Sequence, residues 1–484
     1  MKIPRLRVFV TALLAVAPFL LLVSLVLHAQ TPDRSVAPKP GALPALKLPA
    51  IQKRTLSNGL AVWIVELHKV PVVQVSLVVK SGSGADAPGK YGVASLTADM
   101  LDEGAGSRDA LQLADAVDYL GATLSTDSTS DASSIELHVP VTRLTEALPI
   151  MADVALRPTF PDDELKRVRA DLLTSFIEAE DDPETLIQFA FPRLVYGPRH
   201  RYGTLSGGTA ATVKALTAAD LRQFHSQRYV PSNSVLIVTG DISAADAAAR
   251  LESAFGAWKG AAMPTAAIPT AAQLTSRQLY LVDKPGAAQS QIRIGWIGVP
   301  RSTPDFFALR VLNTILGGSF TSRLNQNLRE EHGYAYGAGS TFDMRASAGP
   351  FYASAGVQTD KTSEALKEFF NELEAIRKPI SAEEVEKAKN YLALLMPRNF
   401  ETTERLAGSL AQIFIYSLPD DYFATYTQRV RAVTPADVQR VAERYIQPDK
   451  FAVVIVGDRK VIEPGISALN LGPLKIVETS EVMK

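Results

Sequence analysis

Leu216-Thr217-Ala218-Ala219-Asp220-Leu221 recurs as Val433-Thr434-Pro435-Ala436-Asp437-Val438. Each copy runs into a helical stretch closed by Arg-Tyr, at Arg228-Tyr229 and Arg444-Tyr445. After a short turn, each continues into an apolar strand ending in Gly-Asp, from Ser234 to Asp241 and from Phe451 to Asp458. Thr217 and Thr434, Asp220 and Asp437, and Gly240 and Gly457 share a single offset of 217. A weaker match upstream pairs Asp163-Glu164-Leu165-Lys166-Arg167 with Glu383-Glu384-Val385-Glu386-Lys387 at an offset of 220. A near-constant offset over such a length is the mark of a duplicated unit.

The stretch from Gly260 to Ser276, rich in alanine, proline and threonine, separates the copies and reads as a linker. Apolar β-branched runs (Val62 to Val65, Val72 to Val79, Gln291 to Ile297, Tyr352 to Val357) mix with helical patterns (Ala110 to Leu120, Asp163 to Glu178, Phe306 to Leu316, Ala382 to Leu395). Strands and helices do not alternate one for one. The expected class is therefore α+β, with helices packed on a mainly antiparallel sheet in each of two duplicated domains, rather than a doubly wound fold. The expected domains are 52–259 and 277–470, with a tail at 471–484. Leu56-Ser57-Asn58-Gly59-Leu60 supplies a hairpin turn that opens the first.

Ahead of them, Lys2, Arg5 and Arg7 precede an uncharged apolar run from Val8 to Leu27. Residues 1–29 read as an export signal cleaved after Ala29, or as an uncleaved membrane anchor, since the run is long enough to span a bilayer. The proline- and alanine-rich residues 30–51 read as a spacer. The expected location is the periplasm or an equivalent exported space, free or anchored.

Composition restricts the chemistry. The 484 residues carry 50 Lys+Arg against 51 Asp+Glu, and without the three N-terminal cations the balance is 47 against 51, a net −4. That leaves no basic excess for a phosphate backbone, so nucleic acid is not an expected partner. The absence of cysteine excludes disulfides, thiolate zinc sites, iron–sulfur clusters and a thiol nucleophile. Only six histidines occur: His28, His68, His138, His200, His225 and His332. There is no G-x-S-x-G elbow and no G-x-G-x-x-G fingerprint. The loop from Gly84 to Lys90 imitates a phosphate-binding loop, but Tyr91 stands where a Ser/Thr would ligate magnesium. The acidic stretch from Glu178 to Glu184 reads as a solvated helix end.

Several short motifs occur in order: Leu-Ser-Asn-Gly-Leu at 56–60, Gly92-Val93-Ala94 opening a helix, His200-Arg201-Tyr202-Gly203, Asp283-Lys284-Pro285-Gly286-Ala287, Leu316-Gly317-Gly318, Ser322-Arg323-Leu324, and Arg329 through Tyr336. In this order the chain resembles the pitrilysin/insulinase family of zinc metallopeptidases, which includes the mitochondrial processing peptidase subunits and the core subunits of the respiratory cytochrome complex. The resemblance covers residues 52–465 and implies two duplicated α+β domains that enclose a peptide chamber.

The resemblance also implies a place for zinc and an erasure of it. Active members carry H-x-x-E-H on the helix that Gly92 opens, with two imidazoles one turn apart gripping the metal and the glutamate activating its water. The matching positions are Ser95 and Asp99 for the histidines and Ala98 for the glutamate. The distal carboxylate falls at Thr174 or Ser175, one turn from Glu178. A neutral hydroxyl and one carboxylate are a poor donor set for zinc, so no metal is expected in this chain.

Arg329 and Tyr336 stand where the family's second domain carries the arginine and tyrosine that reach the opposing zinc site. The resemblance implies that the arginine holds substrate carbonyls and the tyrosine donates to the developing oxyanion. Tyr334 is the fallback for that tyrosine, and His332 reads as a cap or surface residue. The expectation is a substrate-binding, non-zinc subunit of a two-chain exported peptidase, inactive alone, whose homologous partner supplies H-x-x-E-H and zinc. The alternative is a catalytically inactive structural or peptide-binding homologue.

Overall fold

The computed structural model describes residues 49–261, 264 and 267–484, so the expected signal or anchor and nearly all of the spacer lie outside the described residues. Strands β1 (Gln52–Thr55), β2 (Ala61–Glu66), β3 (Val72–Val79), β4 (Thr123–Ser128), β5 (Ser133–Pro140) and β6 (Ser234–Gly240) form one sheet in the order β1-β2-β6-β3-β5-β4. Strands β7 (Gln278–Asp283), β8 (Gln289–Ile297), β9 (Ala335–Phe342), β10 (Pro350–Gln358), β11 (Ala452–Gly457) and β12 (Leu474–Val477) form a second, in the order β9-β10-β8-β11-β7-β12. Most neighbouring pairs are antiparallel, as the α+β reading requires. The parallel ones are β2 with β6, β7 with β11, and β7 with β12.

Five strands of one sheet therefore have a counterpart in the other, in the same order. The sixth differs, because β1 reaches its sheet from the N-terminal side as an antiparallel hairpin and β12 reaches the other from the C-terminal side in parallel. The hairpin turns on Gly59 at φ +85°, a left-handed conformation that glycine adopts without strain.

The helices that place the site are α1 (Val93–Asp99), α2 (Asp162–Asp181), α3 (Pro183–Tyr196), α4 (Ala218–Arg228), α5 (Phe306–Leu316), α6 (Ala382–Leu395), α7 (Thr403–Ile415), α8 (Tyr422–Ala432) and α9 (Pro435–Tyr445). The repeated Thr-x-x-Asp is the start signal of α4 and α9. Thr217 and Thr434 accept from the amides of Asp220 and Asp437, and each aspartate accepts in return from its threonine's amide, at 2.9 Å and 3.0 Å. These are reciprocal capping boxes, which satisfy donors that a helix N-terminus leaves unpaired.

The two halves exchange a helix. Helix α3, from the first half, lays Leu186, Ile187, Ala190 and Phe191 against Val282, Ile297, Val454 and Val456 of the second sheet. Helix α7, from the second, lays Leu406, Ala407 and Leu410 against Val78, Val235 and Ile237 of the first. Their first residues, Pro183 and Thr403, lie 220 positions apart, the offset of the weaker repeat. Each sheet is thus covered on one face by a helix that the other half supplies. Among the described residues, no helix is long and apolar enough to cross a membrane.

Candidate functional site

Helix α1 begins at Gly92, where φ is +96° and a Cβ would sit 2.6 Å from the Gly207 carbonyl oxygen. Its first amides point at Asp86, whose carboxylate accepts from Gly92 at 2.8 Å and Ala94 at 3.1 Å. The same carboxylate accepts from the Arg201 guanidinium at 3.0 Å, and both side chains are buried. Arg201 also donates to the carbonyls of Ser83 and Thr204. Burial pushes the Asp86 carboxyl up to about 6 against the opposing pull of Arg201 and the two amides. The loop from Gly84 to Lys90 is therefore a built-in cap. A carboxylate already occupies the helix terminus that a phosphate would need, and Lys90 pairs with Asp220 at 2.9 Å.

The residues at the family's zinc positions do not assemble a metal site. Ser95 Oγ is buried without a hydrogen-bond partner, and Ala98 is buried with no polar group to offer. The hydroxyls of Thr174 and Ser175 donate back into their own helix, to the carbonyls of Ala170 at 3.0 Å and Leu172 at 2.8 Å. Glu178 is exposed on the same helix. Among the described residues no group of three or more His, Asp or Glu side chains is placed to hold a metal. The donors that remain are neutral hydroxyls and one aspartate, a set that does not fit zinc.

Asp99 is exposed, yet the protein around it crowds its carboxyl, and that crowding together with Asp102, Asp127 and Glu103 pushes it up to about 6. Ionising Asp99 is thus harder in the folded chain than in the unfolded one. Its contribution to stability is intact below the ordinary carboxylate range and is lost as pH rises through about 6. Asp99→Asn is expected to raise the melting temperature by about 2 °C at pH 7.5, solvent screening keeping the effect small. At pH 4 the two proteins are expected to melt together, and thermal scans at the two pH values check this.

The second half brings Arg329 and Tyr336 together. Arg329 lies in a π-helical turn, Gln326–Glu331, whose wider winding carries His332 N–H to the Asn327 carbonyl at 3.1 Å. Such a π-turn departs from a regular helix by one residue and recurs at functional sites. Gly333, at φ +65°, ends the turn. Strand β9 then opens with a bulge, because Ala335 pairs with Val357 while Ala338 pairs with Ala355. The extra residue falls at Tyr336-Gly337 and re-aims the tyrosine. Tyr336 is 87% exposed, and the Arg329 guanidinium lies 5.2 Å from its ring centroid and 4.6 Å from that of Phe320, itself 63% exposed.

Tyr334 does not share a strand face with Tyr336. It precedes β9, stacks on His332 at 5.0 Å and packs against the core, which leaves Tyr336 as the presented phenol.

The flanking motifs hold this arrangement. Arg323 grips Glu384 of α6 with two hydrogen bonds of 2.9 Å, Leu324 is fully buried, and Asn327 donates to Glu372 at 2.9 Å. At Gly317 a Cβ would lie 2.2 Å from the Ser340 amide nitrogen, so only glycine lets β9 pass so close. Sequence reading missed Phe320 and Asp86. Each left a signal, an apolar ring just after Gly-Gly in a polar stretch and an aspartate six residues ahead of a helix-opening glycine.

Comparison with known proteins agrees with the family resemblance. Residues 61–197 match the model described as insulinase (peptidase family M16), and residues 215–392 match the peptidase M16 inactive domain. The chain belongs to the insulinase-type M16 peptidase family. It is 27% identical over 441 residues to an uncharacterized zinc protease of Streptomyces coelicolor, covering 89% of this chain and 92% of that protein. An uncharacterized zinc protease of Bacillus subtilis is 25% identical over 357 residues, 73% of this chain and 85% of the relative. Among solved structures, the peptidase M16 inactive domain from Pseudomonas fluorescens superposes with a TM-score of 0.77 at 27% identity, covering 84% of this chain and 98% of that one. A protease from Helicobacter pylori gives 0.77 at 23% identity, with 84% and 100% covered, and shares the fold. This M16 member lacks the H-x-x-E-H motif, with Ser95, Ala98 and Asp99 in its place.

Proposed function

We propose that this M16 protein is the substrate-binding, non-zinc subunit of a two-chain exported peptidase. The observation that carries the reading is the asymmetry between its two half-sites. The zinc helix keeps its glycine opening and its buried cap but no ligand set, whereas Arg329, half-buried, and Tyr336, open to solvent, remain side by side. A homologous partner bearing H-x-x-E-H would carry the metal, which polarises a peptide carbonyl and activates water when bound.

What this chain contributes is binding and proton placement. The Arg329 fork holds substrate carbonyls through paired N–H donors, and the Tyr336 hydroxyl donates to the oxygen on which negative charge develops. Strand β4 lies at the edge of its sheet beside α1, and an extended peptide can add to such an edge through main-chain hydrogen bonds.

The purified chain is expected to retain well under one zinc per molecule after gel filtration and to leave unstructured peptides uncut. Mixing it with an exported H-x-x-E-H homologue is expected to restore cleavage and to shift both proteins into one chromatographic peak. Metal analysis and a fluorogenic peptide assay read both outcomes. Cleavage by the chain alone at the rate of the mixture would sink the proposal, and a mixture that never associates would favour the structural or peptide-binding alternative.

A further inference from the structure

A cavity of about 680 Å³ opens where the β4–β5 turn meets the β9–β10 turn and the ends of α5, α6, α7 and α8. It lies at the Phe342 end of β9, ~20 Å along the strand from Tyr336 at about 3.3 Å per residue. The volume is that of a small-molecule site, and the wall is aromatic, with Phe306, Phe342, Tyr416, Tyr422, Phe423 and Tyr426 around it.

Arg301 is set into that wall. It is 8% exposed, and its guanidinium sits 3.7 Å from the Phe306 ring centroid, 5.1 Å from Tyr422 and 5.8 Å from Tyr416. Its side chain makes one hydrogen bond among the described residues, to the Tyr422 hydroxyl at 2.7 Å. A guanidinium has five N–H donors, and buried cations are ordinarily paired with carboxylates. Among the described residues the other buried cations obey that rule, Arg201 with Asp86 and Lys389 with Glu386, whereas Arg301 has no carboxylate within ion-pair distance there.

The acids on the same wall are engaged elsewhere. Asp343 pairs with Arg345 at 2.6 Å, and Asp131 accepts from the Tyr416 hydroxyl at 3.1 Å and the Ala346 amide at 2.9 Å. Arg310, exposed on α5 at the same cavity, likewise lacks an acidic partner among the described residues.

We propose that this cavity binds an organic carboxylate with an aromatic body, its ring among the six aromatic side chains and its carboxylate on Arg301, with Arg310 at the mouth. The shared chemistry is that of a free aryl acid and of an aromatic residue at a peptide's C-terminus. The site is separate from Arg329 and Tyr336 and does not depend on the role proposed for them.

Calorimetric titration of the full chain tests it with N-acetylphenylalanine, 3-phenylpropionate and N-acetylphenylalaninamide. Saturable binding is expected for at least one acid, with the uncharged amide weaker by about tenfold or more because the charge-assisted bonds are gone. Arg301→Met is expected to weaken acid binding by about tenfold, and Arg310→Ala, at an exposed position where folding is not at stake, by about threefold. The acid–amide comparison needs no variant at all. Tighter binding of N-acetylphenylalanine identifies a peptide terminus as the source, and tighter binding of 3-phenylpropionate a free acid. Equal affinity for acid and amide, or no saturable binding of either acid, overturns the proposal.

Discussion

Tyr336→Phe, introduced into a mixture of this chain with the zinc-bearing partner proposed for it, is expected to lower kcat for peptide cleavage by about 10²-fold and to leave KM nearly unchanged. In the proposed composite site the hydroxyl removed is the donor to the developing oxyanion, and loss of one such donor in other hydrolases costs about 10² to 10³ in kcat. Binding of the uncleaved peptide does not use that bond, so the change falls on the transition state alone. The ring stays in place, and with it the stacking on Arg329 at 5.2 Å, so neither folding nor assembly is disturbed. Steady-state kinetics on the mixture, with Tyr334→Phe as the comparison, measure the effect. A Tyr336 variant within twofold of the parent would remove the phenol from the mechanism.

Asp86→Ala is expected to be the most destabilising single change described for this chain, about 3–5 kcal/mol by the general behaviour of broken buried ion pairs. It leaves the guanidinium of Arg201 buried without its counter-charge and takes the acceptor from the Gly92 and Ala94 amides. Chemical denaturation should show a lowered midpoint at unchanged slope. The double variant Asp86→Ala, Arg201→Met is expected to recover part of the loss, since the stranded charge is then gone. A double variant no more stable than Asp86→Ala would mean that the lost cap, not the lost pair, dominates.

Much of this architecture was legible in the chain. The repeated Thr-x-x-Asp is a local hydrogen-bonding device, so Thr217 and Thr434 announce their helices without help from the rest of the fold. Phe306–Leu316 and Ala382–Leu395 begin and end where their apolar periodicity does. The exchange of α3 and α7 was not legible, because an amphipathic pattern says that a face is buried but not which sheet buries it. Nor could the site's finer geometry be read. The π-turn at Gln326–Glu331 and the bulge at Tyr336 each add one residue to a regular element, and such insertions are fixed by neighbours distant in sequence, among them Glu384 and Val357.

The helix exchange also bears on how the molecule holds together. Two lobes that each lend the other a wall cannot be parted like beads on a string. The residues between 260 and 276 that join the copies in sequence are therefore not the only tie between them. Phe191 beneath one sheet and Leu410 beneath the other act as a clasp closed from both sides. A chain severed in that stretch would remain a single object, and either lobe made alone would show water an oily face built for its absent twin.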